Sequence, residues 1–136
     1  EMMLTYFQGR GGVGVVIDGC IRDWPNAQKL DLGFWIKGVT PNFHTQTGKF
    51  PFAVNTPISC GNTLVMPGDL IIADDDGAVV VPAQLASKLA DVANEHNEWE
   101  EFSRLKLEQG GDLRKYYPMN DEAQIEYEKW RKSKNH

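Results

Sequence analysis

The sequence predicts an α/β fold, from a buried strand, a β-α-β unit and a hairpin that is followed by a long helix. Residues 13–17 are a continuous run of small and β-branched apolar residues, typical of a strand covered on both faces by other layers. The run stops at Asp18-Gly19, and a short amphipathic helix is predicted over residues 25–32, with a proline in its first turn. Residues 34–39 are the next predicted strand, which completes the β-α-β unit.

Further strands and turns are predicted downstream of this unit. Short strands are expected over residues 52–58 and 63–65. A hairpin is predicted from strands 70–73 and 78–82, joined by the turn Asp74-Asp75-Asp76-Gly77. The three aspartates also suggest a metal site, but strand residues flank them closely and calcium loops space their ligands further apart, so turn chemistry is the favoured interpretation.

Helical patterns occupy both ends of the chain. Apolar spacing predicts a helix over residues 1–8 and a long amphipathic helix from residue 83 that ends at Gly110-Gly111. On the long helix, His96 and Trp99 are expected to pack against the core or a neighbouring subunit. A charged helix over residues 120–132 has a thin apolar face, so it is expected to dock on the body or on another chain.

Composition limits the class of protein. The chain has 136 residues, 41% hydrophobic and 24% charged, which is ordinary for a soluble globular domain with one core. A net charge of -5 argues against binding to nucleic acid or to an acidic membrane surface. No stretch approaches the roughly 20 apolar residues of a membrane span. Two cysteines without a dense pattern favour reduced thiols in a cytoplasmic protein.

The strongest candidate for chemistry is the adjacent pair Arg22 and Asp23, at the carboxyl end of the first strand, where α/β sheets usually bind small ligands. A guanidinium suits a carboxylate or an oxygen that gains charge, and a carboxylate offers hard ligands for Mg²⁺ or Mn²⁺. The pair could therefore hold a metal and a 2-oxo acid. Two structural alternatives are a surface ion pair and Asp23 as a helix N-cap. In the following loop, His44 is either an acid or base of the site or a solvent-exposed histidine.

Four ordered segments resemble the RraA-like family. They are residues 14–23, 38–41, 54–61 and 67–82. This family includes the regulator of ribonuclease activity A and class II pyruvate aldolases that act on 4-hydroxy-4-methyl-2-oxoglutarate. The resemblance covers residues 1 to about 95. It implies the family's layered β/β/α, swivelling-domain-like fold lacking its N-terminal part, with residues 96–136 as a helical C-terminal extension.

The resemblance also implies roles for three residues. The family signature is an acidic residue, twenty intervening residues and Arg-Asp, which Glu1, Arg22 and Asp23 match. Asp23 would ligate Mg²⁺ or Mn²⁺, and Arg22 would bind the substrate's 2-oxo oxygen and stabilise the enolate. Glu1, where aspartate is more usual, would orient water bound to that metal.

The implied activity is that of a metal-dependent lyase. It would cleave a 4-hydroxy-2-oxo acid by a retro-aldol reaction that releases pyruvate, or decarboxylate oxaloacetate, as a cytoplasmic homotrimer or hexamer. The extension sets the chain apart from the well-known aldolases and suggests a different substrate, either another hydroxy-oxo acid or a sugar-acid derivative. The alternative function is a non-catalytic regulator that binds a ribonuclease or another protein.

Overall fold

The computed structural model describes residues 1–43, 48 and 50–134. It divides the chain into two compact units, Glu1–Ala83 and Gln84–His136. The α/β class predicted from the sequence is confirmed, with strands in the first unit and a helical C-terminal part. None of the helices in the described part of the chain is both long and apolar enough to cross a membrane.

The first unit begins with helices and strands in alternation and continues with a series of strands. Its elements are α1 (Met2–Gly9), β1 (Gly14–Ile21), α2 (Trp24–Ala27), β2 (Gly33–Val39), β3 (Ile58–Cys60), β4 (Thr63–Val65), β5 (Leu70–Asp74) and β6 (Gly77–Val81). Among the described residues these strands form three two-stranded sheets: β1 with β2, β3 with β4, and β5 with β6. The first pair is parallel and the other two are antiparallel. The predicted β-α-β unit and the predicted hairpin are therefore both present.

The turn between β5 and β6 is stabilised by a side-chain hydrogen bond, in agreement with the turn predicted from the sequence. The backbone N–H of Asp76 donates to Oδ1 of Asp74 at 2.9 Å, which is the hydrogen bond of an Asx turn. Gly77 follows with φ of 149°, a conformation that side chains disfavour. The side chain of Asp74 therefore stabilises the turn.

Two predicted strands differ in the structure. The strand expected over residues 52–58 is absent, and β3 begins only at Ile58. Asn55 has φ of 55°, which breaks an extended chain, and Pro51 and Pro57 lack the N–H that a ladder needs. The prediction that β1 is covered on both faces is also wrong for the described residues. Val16 is 41% exposed, because its side chain lines an open groove.

The second unit contains three helices around an aromatic core. A 3₁₀ turn over Ala83–Leu85 leads into α3 (Ala86–Glu108), and α4 (Leu113–Tyr116) and α5 (Asp121–Lys134) follow. The buried cluster consists of Phe102, Tyr116, Ala123 and Tyr127. In the first unit, by contrast, Ile21 and Ala27 are the buried apolar residues among those described. Among the described residues, the cluster of buried apolar side chains therefore lies in the second unit.

The C-terminal helix packs as the sequence suggests. The ring of Tyr127 on α5 lies 5.6 Å from that of Phe102 on α3, and its hydroxyl donates to Glu98 at 3.4 Å. Trp99 packs against the same core, as expected, and its indole N–H donates to Nδ1 of His96 at 3.0 Å. The predicted domain boundary between residues 95 and 96 lies inside α3 and stays a prediction.

Candidate functional site

The candidate site lies where β1 ends. Ile21, the last residue of β1, is buried, and its carbonyl accepts a hydrogen bond from the Thr40 N–H just beyond β2 at 2.9 Å. This bond extends the parallel ladder to the carboxyl end of both strands. Arg22 and Asp23 follow immediately, so the structure places the pair at the sheet edge where the sequence predicts it.

Asp23 has an unusual backbone conformation. Its φ of 61° and ψ of 37° lie in the left-handed region, which few residues other than glycine adopt. Its carbonyl accepts from the N–H groups of Asn26 at 3.1 Å and Ala27 at 3.0 Å, and Pro25 occupies the first turn of α2. The side chain makes no capping hydrogen bond, although Asp23 holds the N-cap position. The carboxylate therefore does not act as a side-chain cap of α2, and a left-handed backbone of this kind often occurs at functional sites.

The carboxylate of Asp23 pairs with its neighbour. Nε of Arg22 donates to Oδ2 of Asp23 at 3.0 Å, with the two side chains 49% and 46% exposed. The guanidinium also lies 6.0 Å from the ring centroid of Phe43. The surface ion pair considered as an alternative is therefore present. Pairs this exposed stabilise a fold by only about 0–1 kcal/mol, so a charged ligand can compete for either group.

Glu1 lies next to this pair. Its backbone nitrogen is 3.8 Å from Oδ2 of Asp23, and its side chain is 28% exposed. Its carbonyl accepts from the Thr5 N–H at 2.9 Å, so Glu1 stands at the start of α1. The fold thus places the backbone of Glu1 near Asp23, although twenty residues separate Glu1 from the Arg22-Asp23 pair in the sequence. The roles predicted for them stay predictions.

The metal ligand predicted for this site is the single carboxylate of Asp23, and metal binding stays a prediction. Among the described residues, no three His, Cys, Asp or Glu side chains are grouped closely enough to hold a metal. Mg²⁺ is commonly bound through one or two carboxylates, with water and substrate as its other ligands. The half-exposed carboxylate of Asp23 fits that pattern. His44 lies outside the described residues.

Sequence reasoning missed a second charged pair in the first unit. Asp18 sits at an irregularity in the pairing of β1 with β2, between Ile17 and Cys20. Its Oδ1 forms an ion pair with Nζ of Lys37, and its Oδ2 accepts from the Gly61 N–H at 2.9 Å. The hydrogen bond and the charge of Asp18 raise the pKa of the Lys37 ammonium. The signals were the break in the apolar run at Asp18-Gly19 and the single lysine in the strand 34–39.

This pair opens onto a groove of about 760 Å³ within the first unit. Its walls are mostly apolar and come from β1, β2 and the two hairpins. Trp35 on β2 lines the groove, and its indole N–H donates to the Asp74 carbonyl at 2.8 Å, which ties β2 to the β5–β6 hairpin. Glu1, Arg22 and Asp23 are not among the lining residues, so the groove is separate from the candidate site.

Comparison with known proteins matches the family model described as RraA-like: Aldolase/RraA to residues 1–80, which contain Glu1, Arg22 and Asp23. An uncharacterized protein of Methanocaldococcus jannaschii is 33% identical over 108 residues, which are 77% of this chain and 50% of that protein. A protein of Halalkalibacterium halodurans named "Putative 4-hydroxy-4-methyl-2-oxoglutarate aldolase" is 40% identical over 60% of this chain and 38% of its own length.

Two solved structures are similar to this chain. The first is Streptomyces coelicolor RraAS2, described as an unusual member of the RNase ES inhibitor RraA protein family. Its TM-score is 0.74 and its identity 47%, over 77% of this chain and 53% of that one. The second, an uncharacterized protein from Pseudomonas syringae pv. tomato, has a TM-score of 0.75 and 25% identity, over 85% and 57%. The chain therefore spans about half the length of the proteins it matches.

Proposed function

This chain belongs to the RraA-like family, and from that premise we propose that it carries the catalytic residues of a divalent-metal-dependent lyase. The proposed reaction is the retro-aldol cleavage of a 4-hydroxy-2-oxo acid, which releases pyruvate, with decarboxylation of oxaloacetate as a related activity. The observation that carries the proposal is the pairing of Arg22 with Asp23 at the carboxyl end of β1, with the backbone nitrogen of Glu1 3.8 Å from the Asp23 carboxylate. Names of relatives as 4-hydroxy-4-methyl-2-oxoglutarate aldolases support the substrate class.

In the proposed reaction, Arg22 stabilises the negative charge that develops on the substrate. The C3–C4 bond of the substrate breaks as the 4-hydroxyl loses its proton, and the electron pair moves to C3 and the 2-oxo oxygen. The guanidinium of Arg22 offers N–H donors beyond the Nε that Asp23 uses, and these would stabilise the resulting enolate oxygen. Protonation at C3 then completes pyruvate.

Glu1 and Asp23 would have distinct tasks. The carboxylate of Glu1 would orient a water molecule that takes the hydroxyl proton and returns a proton to C3. Asp23 would hold Mg²⁺ or Mn²⁺, which supplies Lewis-acid polarisation of the 2-oxo acid when it is bound. The left-handed backbone of Asp23 keeps its carboxylate free of the helix start and available for this task.

The proposal is tested by measuring pyruvate release from 4-hydroxy-4-methyl-2-oxoglutarate and from oxaloacetate with the full-length protein and Mg²⁺. We expect Arg22→Gln to lower kcat about 10²–10³-fold, as removal of one oxyanion donor typically does. Arg10→Gln is the matched control, because Arg10 is an exposed arginine at the end of α1. Equal activity of the two variants would contradict the role of Arg22.

A second candidate function is regulation of a ribonuclease by direct binding. It is favoured by the 47% identity to RraAS2, which is described within a family of RNase ES inhibitors. Pull-down of a ribonuclease with the Arg22→Gln and Asp23→Asn variants separates the two functions. Binding that survives loss of the site, in a protein that releases no pyruvate, would favour the regulator.

The proposal also includes the oligomeric state and the cellular location of the protein. We expect a homotrimer or hexamer in the cytoplasm, with a small 2-oxo acid as ligand and no nucleic acid partner. Sedimentation of the protein before and after truncation at Gly110 tests whether the last two helices support the oligomer. An unchanged oligomer with an unchanged melting temperature would refute that contribution.

A further inference from the structure

The groove of about 760 Å³ in the first unit leaves large apolar side chains open to water. Five of the apolar residues that line it are between 38% and 84% exposed: Val13, Val16, Ile58, Ile71 and Val79. Soluble proteins rarely leave a contiguous apolar surface in water unless that surface meets a partner. The groove therefore calls for an occupant.

The strands around the groove also need further packing. Each of the three sheets among the described residues has two strands. A two-stranded sheet is marginally stable by itself, and it needs a third strand or packing against another element. In the described part of the first unit, Ile21 and Ala27 are the buried apolar residues, which are too few to form a core beneath the two hairpins. An occupant that packs across several strands would supply that core.

The charged residues of the groove do not require a charged occupant. Asp18 and Lys37 line the groove, but they form an ion pair with each other. Asp18 also accepts a hydrogen bond from the Gly61 N–H at 2.9 Å. The two charges are therefore balanced within the first unit, and the rest of the lining is mostly apolar. This favours the apolar face of a polypeptide over a charged metabolite.

The lengths of similar proteins indicate which polypeptide this is. The relatives are about twice as long as the part that they share with this chain. The family match begins at residue 1 and stops at residue 80, well before residue 136. We propose that a segment of the same protein that precedes residue 1 docks in the groove through an apolar face and completes the core of the first unit. This role of the groove is independent of the proposed lyase activity.

Alkylation of introduced cysteines tests whether the groove is covered in the full-length protein, which includes the sequence that precedes residue 1. Val79→Cys places a thiol on the groove wall, where the valine side chain is 63% exposed. Asp75→Cys is the matched control, because Asp75 is exposed in the turn of the same hairpin and does not line the groove. Cysteine is smaller than either residue, so both variants should fold.

Peptide mass spectrometry after treatment with iodoacetamide measures the reaction of each thiol separately. We expect the thiol of Val79→Cys to react at least about tenfold more slowly than that of Asp75→Cys, because a covered thiol reacts only when the docked segment opens. Equal rates for the two thiols would overturn the proposal.

Photo-cross-linking identifies the occupant. The photoreactive residue p-benzoylphenylalanine replaces Val13, which is 84% exposed at the groove. Val13 precedes β1, whereas Glu1 lies beside Asp23 beyond the other end of that strand, so chain connectivity alone does not bring the preceding segment to Val13. The same replacement at Asp75 is the control.

We expect irradiation to join position 13 to peptides that precede residue 1 of the same molecule, in a product that keeps the monomer mass on a denaturing gel. The control at position 75 should not form these links. Links from position 13 to a second copy, seen as a dimer on that gel, would overturn the proposal. So would a lack of any link to the preceding peptides.

Discussion

The backbone of Asp23 allows conformational strain to be separated from chemistry by substitution at one position. Its φ of 61° and ψ of 37° lie in the left-handed well, which costs an ordinary L-residue about 1–2 kcal/mol and costs glycine almost nothing. We therefore compare Asp23→Ala with Asp23→Gly. Both variants lose the ion pair with Arg22, so the difference between them reports the backbone alone.

The expected difference follows from two opposing terms. Alanine bears the left-handed cost, whereas glycine loses more conformational freedom on folding, by about 0.5–1 kcal/mol relative to alanine. Asp23→Ala should therefore be less stable than Asp23→Gly by about 1 kcal/mol. Asp23→Asn should stay within about 1 kcal/mol of the unmodified protein, since asparagine tolerates this region and only the exposed ion pair is lost.

Urea unfolding measures these differences. The indole N–H signal of Trp24 in ¹H–¹⁵N spectra reports the region, because this ring follows Asp23 and lies 5.3 Å from Phe34. With slopes of about 1–3 kcal/mol per molar urea, the alanine variant should unfold at about 0.3–1 M less urea than the glycine variant. Equal midpoints, or a glycine variant that unfolds first, would refute the argument from strain.

Two further predictions concern the scaffold. Gly33→Ala should destabilise the first unit by about 1–3 kcal/mol in urea unfolding, because its Cβ would overlap the Trp35 ring. Gly19→Ala is the control, since its Cβ would meet only Ile17 at 3.7 Å, and an equal loss there would contradict the packing argument. In the second unit, hydrogen bonding to Lys115 is the main cause that lowers the pKa of Glu126. The ionised carboxylate of Glu126 therefore stabilises the folded second unit fully above about pH 4.3, the ordinary pKa of glutamate. This stabilisation is lost as the pH falls through the lowered pKa. In thermal melts at decreasing pH, Glu126→Gln should reduce the fall in melting temperature at acid pH. An unchanged fall would contradict the assignment to Glu126.

Local sequence signals predicted most of the elements. The parallel pair β1 and β2, the hairpin and the long helix were recoverable because hydrophobic period, turn residues and glycine positions all agree there. The strand over residues 52–58 was predicted wrongly, because the apolar residues there suggested a hydrogen-bonded β-strand. The left-handed backbone of Asn55 and the flanking prolines do not allow one. The burial of β1 was overestimated, because periodicity indicates which residues are apolar but not which layers cover them.

The candidate site was predictable in part. Arg22 and Asp23 were recognisable from their place after a strand, and Glu1 only through the family spacing. The left-handed backbone of Asp23 could not be foreseen, since no glycine marks it. The Asp18–Lys37 pair depends on a β irregularity and on a glycine 43 residues away, and pairing between distant segments has no local signature.

The most direct test of the lyase proposal is pyruvate release from 4-hydroxy-4-methyl-2-oxoglutarate and from oxaloacetate as Mg²⁺ is titrated. The full-length protein is compared with Asp23→Asn and with Asp31→Asn, an exposed aspartate of the same unit. We predict Mg²⁺-dependent release by the unmodified protein and by Asp31→Asn, and none by Asp23→Asn, although that variant stays folded. Release by Asp23→Asn at the unmodified rate, or no release from either substrate by the unmodified protein, would contradict the proposal.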